Sequence, residues 1–431
     1  MKLKSLHIQS YRHLENLDFD FTYPEGHEKA GEPLEKICIM GQSATGKTSI
    51  LELIKDAYVI LKDLEIIDRT QKMFRHYRLN FRGDIVFSTE AGVLKMYDSK
   101  IINSEIEYTN LDGNGGGSVG YLIPNDLKLI YLSSEIISKE AINIFNKNPL
   151  EINTEFSTDK YLNEQVYFRQ LNGNYIYEFM QHIDETIWFS LLHKILNYRK
   201  RFTQMASELI NKGAIGDINK LTNQYSKWAK DNENPLDLFA TFFNPILDKL
   251  NLEVDLINTE YSIPIKSKLN DEIIPLSSLS TGTKGLLLSM FPVFELNTKD
   301  AIILLDEPER SLFPDMQIDL ISHYQNLAPE AQFVVATHSP FIAAAFEPEE
   351  RFILYFNEKG KVQLRRGESP IGDDPNDMLN NDFNVDYYNQ FGKAAHKKYL
   401  DLKREVAQET KPQRKKELIV ELAELGDKYN F

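Results

Sequence analysis

A short apolar run, Ile37-Cys38-Ile39-Met40, leads straight into Gly41-Gln42-Ser43-Ala44-Thr45-Gly46-Lys47-Thr48, and Ser49-Ile50-Leu51-Glu52-Leu53-Ile54 then space their apolar members as a helix does. Strand, glycine-bearing loop and helix in that order commit the chain to an α/β core, because such a strand is buried on both faces under helices. The loop fits Gly-x-x-x-x-Gly-Lys-Ser/Thr in full. Its glycines let backbone N–H groups wrap phosphates, and the helix N-terminus adds a favourable dipole. Lys47 is placed to neutralise β- and γ-phosphates, and the Thr48 hydroxyl to ligate Mg²⁺. Gly41 through Ser49 are therefore candidate nucleotide-binding residues.

The rest of the chain bounds what surrounds this loop. Its 431 residues suggest two or three folded units. The formal net charge of −15 argues against nonspecific nucleic-acid binding over the whole surface and leaves a local basic patch open. The single cysteine, Cys38, lies in the apolar strand, so an intramolecular disulfide and a cysteine metal cluster are both excluded. Met1 to His7 lack the features of a signal peptide, and no apolar stretch is long enough to span a membrane, so a cytoplasmic location is expected. Residues 3–9 and 17–22 alternate as a hairpin, and Leu127 to Leu132 read as a buried strand. Asp112 to Gly117 read as a loop tip. From about 137 to 250 the pattern is mainly helical, with a break at Gly213 to Gly216, and strand-like pieces follow at Val254–Ile257 and Tyr261–Ile265. Gly372 to Asp377 read as a solvated turn, and Lys393 to Tyr429 as amphipathic helices interrupted near Pro412. The expected organisation is a first half of the head at 1–135, a helical lobe at 136–253, a second half at 254–360 and a helical extension at 361–431.

Three further segments carry chemistry. Ala301 to Leu305 form an apolar run ending in Asp306-Glu307-Pro308. Alone, such a strand is a common structural element; beside the phosphate loop, Asp306 reads as a Mg²⁺ ligand and Glu307 as the carboxylate that orients or deprotonates an attacking water. Leu279-Ser280-Thr281-Gly282-Thr283-Lys284 opens a helix, and by itself more often means a cap and turn than a ligand site. Ser280, Gly282 and Lys284 are nevertheless placed to make a second anion site. Gln332 to Thr337 form a strand ending in His338, a residue type that is usually structural there but that the order of motifs makes a candidate γ-phosphate sensor.

The order of phosphate loop, Ser280 segment, Asp306-Glu307 and His338 resembles the ABC-type ATPases. Glu309-Arg310-Ser311-Leu312-Phe313-Pro314 and Thr337-His338-Ser339-Pro340 are similar to the RecF, SMC and OLD-like branch rather than to transporter cassettes. The resemblance covers roughly residues 1–135 and 255–360. It implies an α/β ABC-type P-loop head, with a mixed sheet flanked by helices, an antiparallel β lobe and an inserted helical lobe. It implies ATP and Mg²⁺ as ligands, and a homo-oligomer, at least a dimer, with ATP held between the P-loop of one copy and Ser280 and Gly282 of the next. Arg12, in the aromatic-basic pair Tyr11-Arg12, would approach the nucleotide, although a surface arginine reads equally well. The loop after Pro308 would cross the dimer interface, where Phe313 stands in place of a histidine. No glutamine is assigned to the Q-loop. Stand-alone ATPases of this kind, without a Toprim domain, resemble subunits of bacterial anti-phage systems such as PARIS, Septu-type systems and some retrons. That implies a separate effector, a Toprim or HNH nuclease or a toxin, with DNA or a phage protein as further partners and no membrane. A RecF-like repair ATPase that clamps DNA directly is the alternative.

Overall fold

The computed structural model describes residues 1–70, 81–90, 92–97, 100–103, 106–109, 128–134, 176–179, 185–212, 217–258, 261, 263–372, 375–383, 385 and 390–429. Two compact units are present, residues 1–373 and 374–431. The first is built on two large sheets. One is antiparallel and contains β1 (Lys2–Tyr11), β2 (Leu14–Asp20), β4 (Phe81–Thr89), β5 (Gly92–Tyr97), β6 (Lys100–Asn103) and β7 (Ile106–Thr109), in the order β2-β1-β4-β5-β6-β7. The other contains β3 (Lys36–Gly41), β8 (Leu129–Leu132), β9 (Ile176–Phe179), β13 (Ile302–Asp306), β14 (Gln332–Thr337), β15 (Arg351–Phe356) and β16 (Val362–Arg366). Its order is β16-β15-β3-β14-β13-β8-β9, parallel throughout except for the β15–β16 pair. A small antiparallel sheet joins β10 (Leu252–Val254), β11 (Ile265–Ser267) and β12 (Ile273–Ile274). The first unit thus has the expected mixed α/β class, with a mixed sheet and an antiparallel lobe.

The core forms because the Lys47–Thr70 helix carries a wide apolar stripe. Ile50, Leu51, Leu53, Ile54, Ala57, Tyr58 and Leu61 are buried, at the i, i+3, i+4 spacing of one helical face. They share one cluster with Leu6, Ile8, Ile85 and Phe87 of the antiparallel sheet and Ile37, Ile39, Leu304, Val334 and Ala336 of the parallel one. Ile37 to Met40 are fully buried, as a central parallel strand covered on both faces requires. Register then sets the functional edge: Met40 pairs with Thr337, Ala336 with Asp306, and Gly41 with Leu354. The loops leaving β3, β13 and β14 therefore emerge side by side at the carboxyl end of the sheet, where ligands of such sheets bind.

Several expectations are corrected. The segment expected to be mainly helical contains β9, whose Ile176-Tyr177-Glu178-Phe179 pair in parallel with β8, as β-branched and aromatic residues favour. Its described helices are Glu185–Asn211, Ile218–Asp231 and Pro235–Leu247. The piece at Val254–Ile257 stops at Val254, because the Asp255 carboxylate accepts the N–H groups of Ile257 and Asn258 and turns the chain. The strand sought at Tyr261–Ile265 begins only at Ile265. The seven-stranded sheet continues past residue 360 through its antiparallel edge strand β16. The turn at Gly372 to Asp377 gives way to a helix, Pro375–Asn381, since proline is at home in a first turn. The expected loop tip at Asp112–Gly117 and the break at Gly213–Gly216 lie outside the described residues. In the second unit, helices Gln390–Gln408 and Pro412–Tyr429 pair, with Leu402 and Leu418 buried and Lys398 3.0 Å from Glu421.

Candidate functional site

The P-loop closes on itself through its own side chains. Lys47 Nζ donates to the carbonyls of Gly41 and Gln42, both at 2.9 Å, and Thr45 Oγ1 donates to Gln42 O at 2.7 Å. Gln42, Ser43 and Ala44 stand exposed on the rim while Thr45, Lys47 and Ser49 are buried. Two glycines are required by close approach. A Cβ on Gly41 would lie 2.1 Å from the carbonyl oxygen of Leu354, and one on Gly46 would lie 2.8 Å from the side chain of Leu14 and 3.1 Å from His13 Nε2. The tip of the β1–β2 hairpin thus rests on the loop. Arg12, held at φ 54 in that tip, donates at 3.0 Å to the Oγ of Ser49, one residue beyond Thr48, and pairs with Glu52 at 2.5 Å.

From the strand two places away comes Asp306. Thr48 Oγ1 stands 3.1 Å from each of its carboxylate oxygens, so a hydroxyl and a carboxylate converge as a Mg²⁺ bound to phosphate needs them. No cluster of three or more His, Cys, Asp or Glu suited to a metal occurs among the described residues. The donor set fits magnesium, which takes few protein ligands and relies on substrate phosphates. Burial pushes Asp306 up to about 6, opposed by its bond from Thr48. Burial likewise lowers Lys47 to about 8 against the attraction of Glu307, Asp306 and Glu309. Both shifts follow from holding charges in a low-dielectric cleft.

Glu307 follows at φ 48, left-handed backbone that costs a non-glycine residue roughly 1–2 kcal/mol. Its N–H donates to Ala336 O at 2.8 Å, and its Oε1 lies 3.3 Å from His338 Nε2. Burial lowers the His338 pKa, helped by Lys47 and opposed by Glu307 and by a bond to the Gly41 backbone. Lys47, Thr48, Asp306, Glu307 and His338 are thus one constellation.

Ser280 and Gly282 are placed otherwise. Ser280 caps the Thr281–Glu295 helix, its Oγ accepting Thr283 N–H at 3.1 Å and bonding Thr283 Oγ1 at 2.7 Å. Both bonds lie within its own turn. Gly282 is buried rather than presented to solvent, and a Cβ there would lie 2.2 Å from the carbonyl oxygen of Ser311. Lys284 is half-buried in the same first turns. The sequence reading missed Glu309, whose carboxyl is buried against Thr337 and His338, and Ser133, at the end of β8 beside Asp306 and Glu307 in a cleft that Arg310 and Tyr324 also line. Strand adjacency alone brings these together, and no local pattern signals it.

Comparison with known structures finds the SMC head domain from Thermotoga maritima at 12% identity and TM-score 0.38, over 86% of this chain and 100% of that one. An SmcHead bound to the C-winged helix domain of ScpA aligns at 11% and 0.39, over 85% and 97%. The Smc head domain with an extended coiled coil derived from Pyrococcus furiosus, bound to the C-terminal domain of ScpA, aligns at 13% and 0.37, over 85% and 96%. No curated protein matches. Residues 123–343, more than half of the chain, match the family model described as the AAA ATPase domain, and the chain belongs to that family.

Proposed function

We propose that the protein hydrolyses ATP at sites completed by a second copy of itself, and that nucleotide state holds or releases a separate effector in a bacterial anti-phage system. The observation that carries the catalytic half is the convergence of Thr48 with Asp306 and of Glu307 with His338 at the edge where the P-loop emerges. In this reading Lys47 leaves its two backbone carbonyls for the β- and γ-phosphates. Glu307 orients the attacking water and takes its proton, and His338 donates a hydrogen bond to the γ-phosphate. Mg²⁺ held by Thr48 and Asp306 would supply charge neutralisation between the phosphates. Among the described residues the Ser280 hydroxyl bonds within its own helix turn, and its role toward a neighbour's nucleotide rests on the resemblance of the motifs. The anti-phage setting and its effector rest on the resemblance of the motifs.

The test is the Glu307→Gln variant with ATP and Mg²⁺, followed by light scattering and phosphate release. Expected is a stable dimer or higher assembly with turnover nearly abolished. A chain that stays monomeric with saturating ATP removes the shared site. Salt-sensitive, ATP-dependent DNA binding by the chain alone would instead support a DNA clamp.

A further inference from the structure

We propose that Glu309 is a positioning residue that locks the His338 turn to the loop leaving β13, and through that loop to the helix that begins at Ser280. The proposal rests on the reading of the site as an ATPase in which His338 acts.

One carboxylate oxygen of Glu309 serves two donors. Oε1 accepts Thr337 Oγ1 at 2.6 Å and the His338 backbone N–H at 2.9 Å. The turn continues inward, where Ser339 N–H donates to Thr337 Oγ1 at 2.9 Å and Ser339 Oγ bonds Gln317 Oε1 at 2.6 Å. Gln317 Nε2 then donates to Leu312 O at 2.8 Å, back in the loop that carries Glu309. Thr337, Ser339 and Gln317 are all buried. The circuit is closed, with its Ser339 bonds buried, so it couples movement of the His338 backbone to movement of the 307–313 loop. That loop in turn cannot shift without meeting Gly282, which has room only for a hydrogen over Ser311 O.

The second Glu309 oxygen, Oε2, is buried with no hydrogen-bond partner among the described residues. A buried carboxylate oxygen so placed is rare. Two left-handed non-glycine residues, Glu307 at φ 48 and Ser311 at φ 65, bracket the same segment. Glu309 would therefore hold the His338 ring beside Glu307.

The test compares Glu309→Ala, Glu309→Gln and Thr337→Val with His338→Ala and with the double variant Glu309→Ala/His338→Ala. Misplacing a catalytic group by about an ångström costs on the order of 10²-fold, so Glu309→Ala should lower kcat by about that factor while nucleotide affinity stays within about threefold. Glu309→Gln, which keeps the accepting oxygen, should recover most of the rate, and Thr337→Val should fall between. The double variant should be no slower than His338→Ala alone. Multiplying losses, a Glu309→Ala enzyme of normal kcat, or a loss confined to KM would each overturn the proposal. If Glu309→Ala does not fold, Thr337→Val combined with His338→Ala reads the same coupling. A His338→Ala enzyme of unchanged rate would instead show that the reading of the site has failed.

Discussion

Two residues in the site carry charges that the fold makes hard to keep, and this sets a pH window for binding. Asp306, raised to about 6, loses its charge below that pH, and a protonated carboxyl does not ligate Mg²⁺. Lys47, lowered to about 8, loses its charge above that pH and with it the attraction for phosphate. ATP affinity measured by calorimetry with Mg²⁺ should therefore decline on both sides of pH 6 to 8. In excess chelator the acid limb should vanish and the alkaline limb persist. Glu307→Gln should lower phosphate release by roughly 10²- to 10⁴-fold, the usual yield of a general base, with nucleotide binding retained. A loss under tenfold would remove Glu307 from that role.

At the scale of elements, glycines fix how loops meet. Gly282 sits where a methyl group would lie 2.2 Å from Ser311 O, so Gly282→Ala must push the Thr281–Glu295 helix off the loop after Glu307. Overpacking of this kind costs typically about 1–3 kcal/mol, read as a lowered midpoint in denaturant. Turnover should fall further than that loss of stability explains, because the displaced loop also carries Glu309. The β1–β2 hairpin meets the P-loop in the same way, with His13 and Leu14 over Gly46. An antiparallel lobe with no apparent chemistry is thereby part of the phosphate cradle's wall.

Across the molecule, the end of the sheet opposite the site holds a buried pair. Lys36 Nζ lies 3.3 Å from Glu350 Oε2, which also accepts the Glu347 N–H at 2.8 Å. Glu350 is only 3% exposed, and burial pushes it from 4.5 up to about 7 despite Lys36. A folded pKa above the unfolded one means the folded chain holds the proton more tightly. The associated stability is present below about pH 4.5 and lost as pH rises through about 7. Glu350→Gln removes that dependence. Its unfolding free energy relative to the native protein should therefore climb between pH 5 and pH 8, by an amount on the order of 2–3 kcal/mol at most, as read by denaturant melts at each pH. A difference that is flat with pH would contradict the buried ionisation. No helix among the described residues is long and apolar enough to cross a membrane.

The P-loop, the Asp306-Glu307 strand and the His338 strand were legible in the sequence because each is local. An apolar run, a glycine loop and a helical stripe have fixed periods, and their chemistry follows from residue types a few positions apart. The α/β class followed from the same periods. The strand order was not legible, since β14 lies between β3 and β13 by pairing of segments distant in the chain. Nor was the short strand Ile176–Phe179, whose four residues become a strand only beside β8. Glu309 and Gly282 show the same limit at the site. Each is an ordinary residue until tertiary packing sets a carboxylate against the His338 backbone, or a hydrogen against Ser311 O, because such contacts join elements that no sequence period relates.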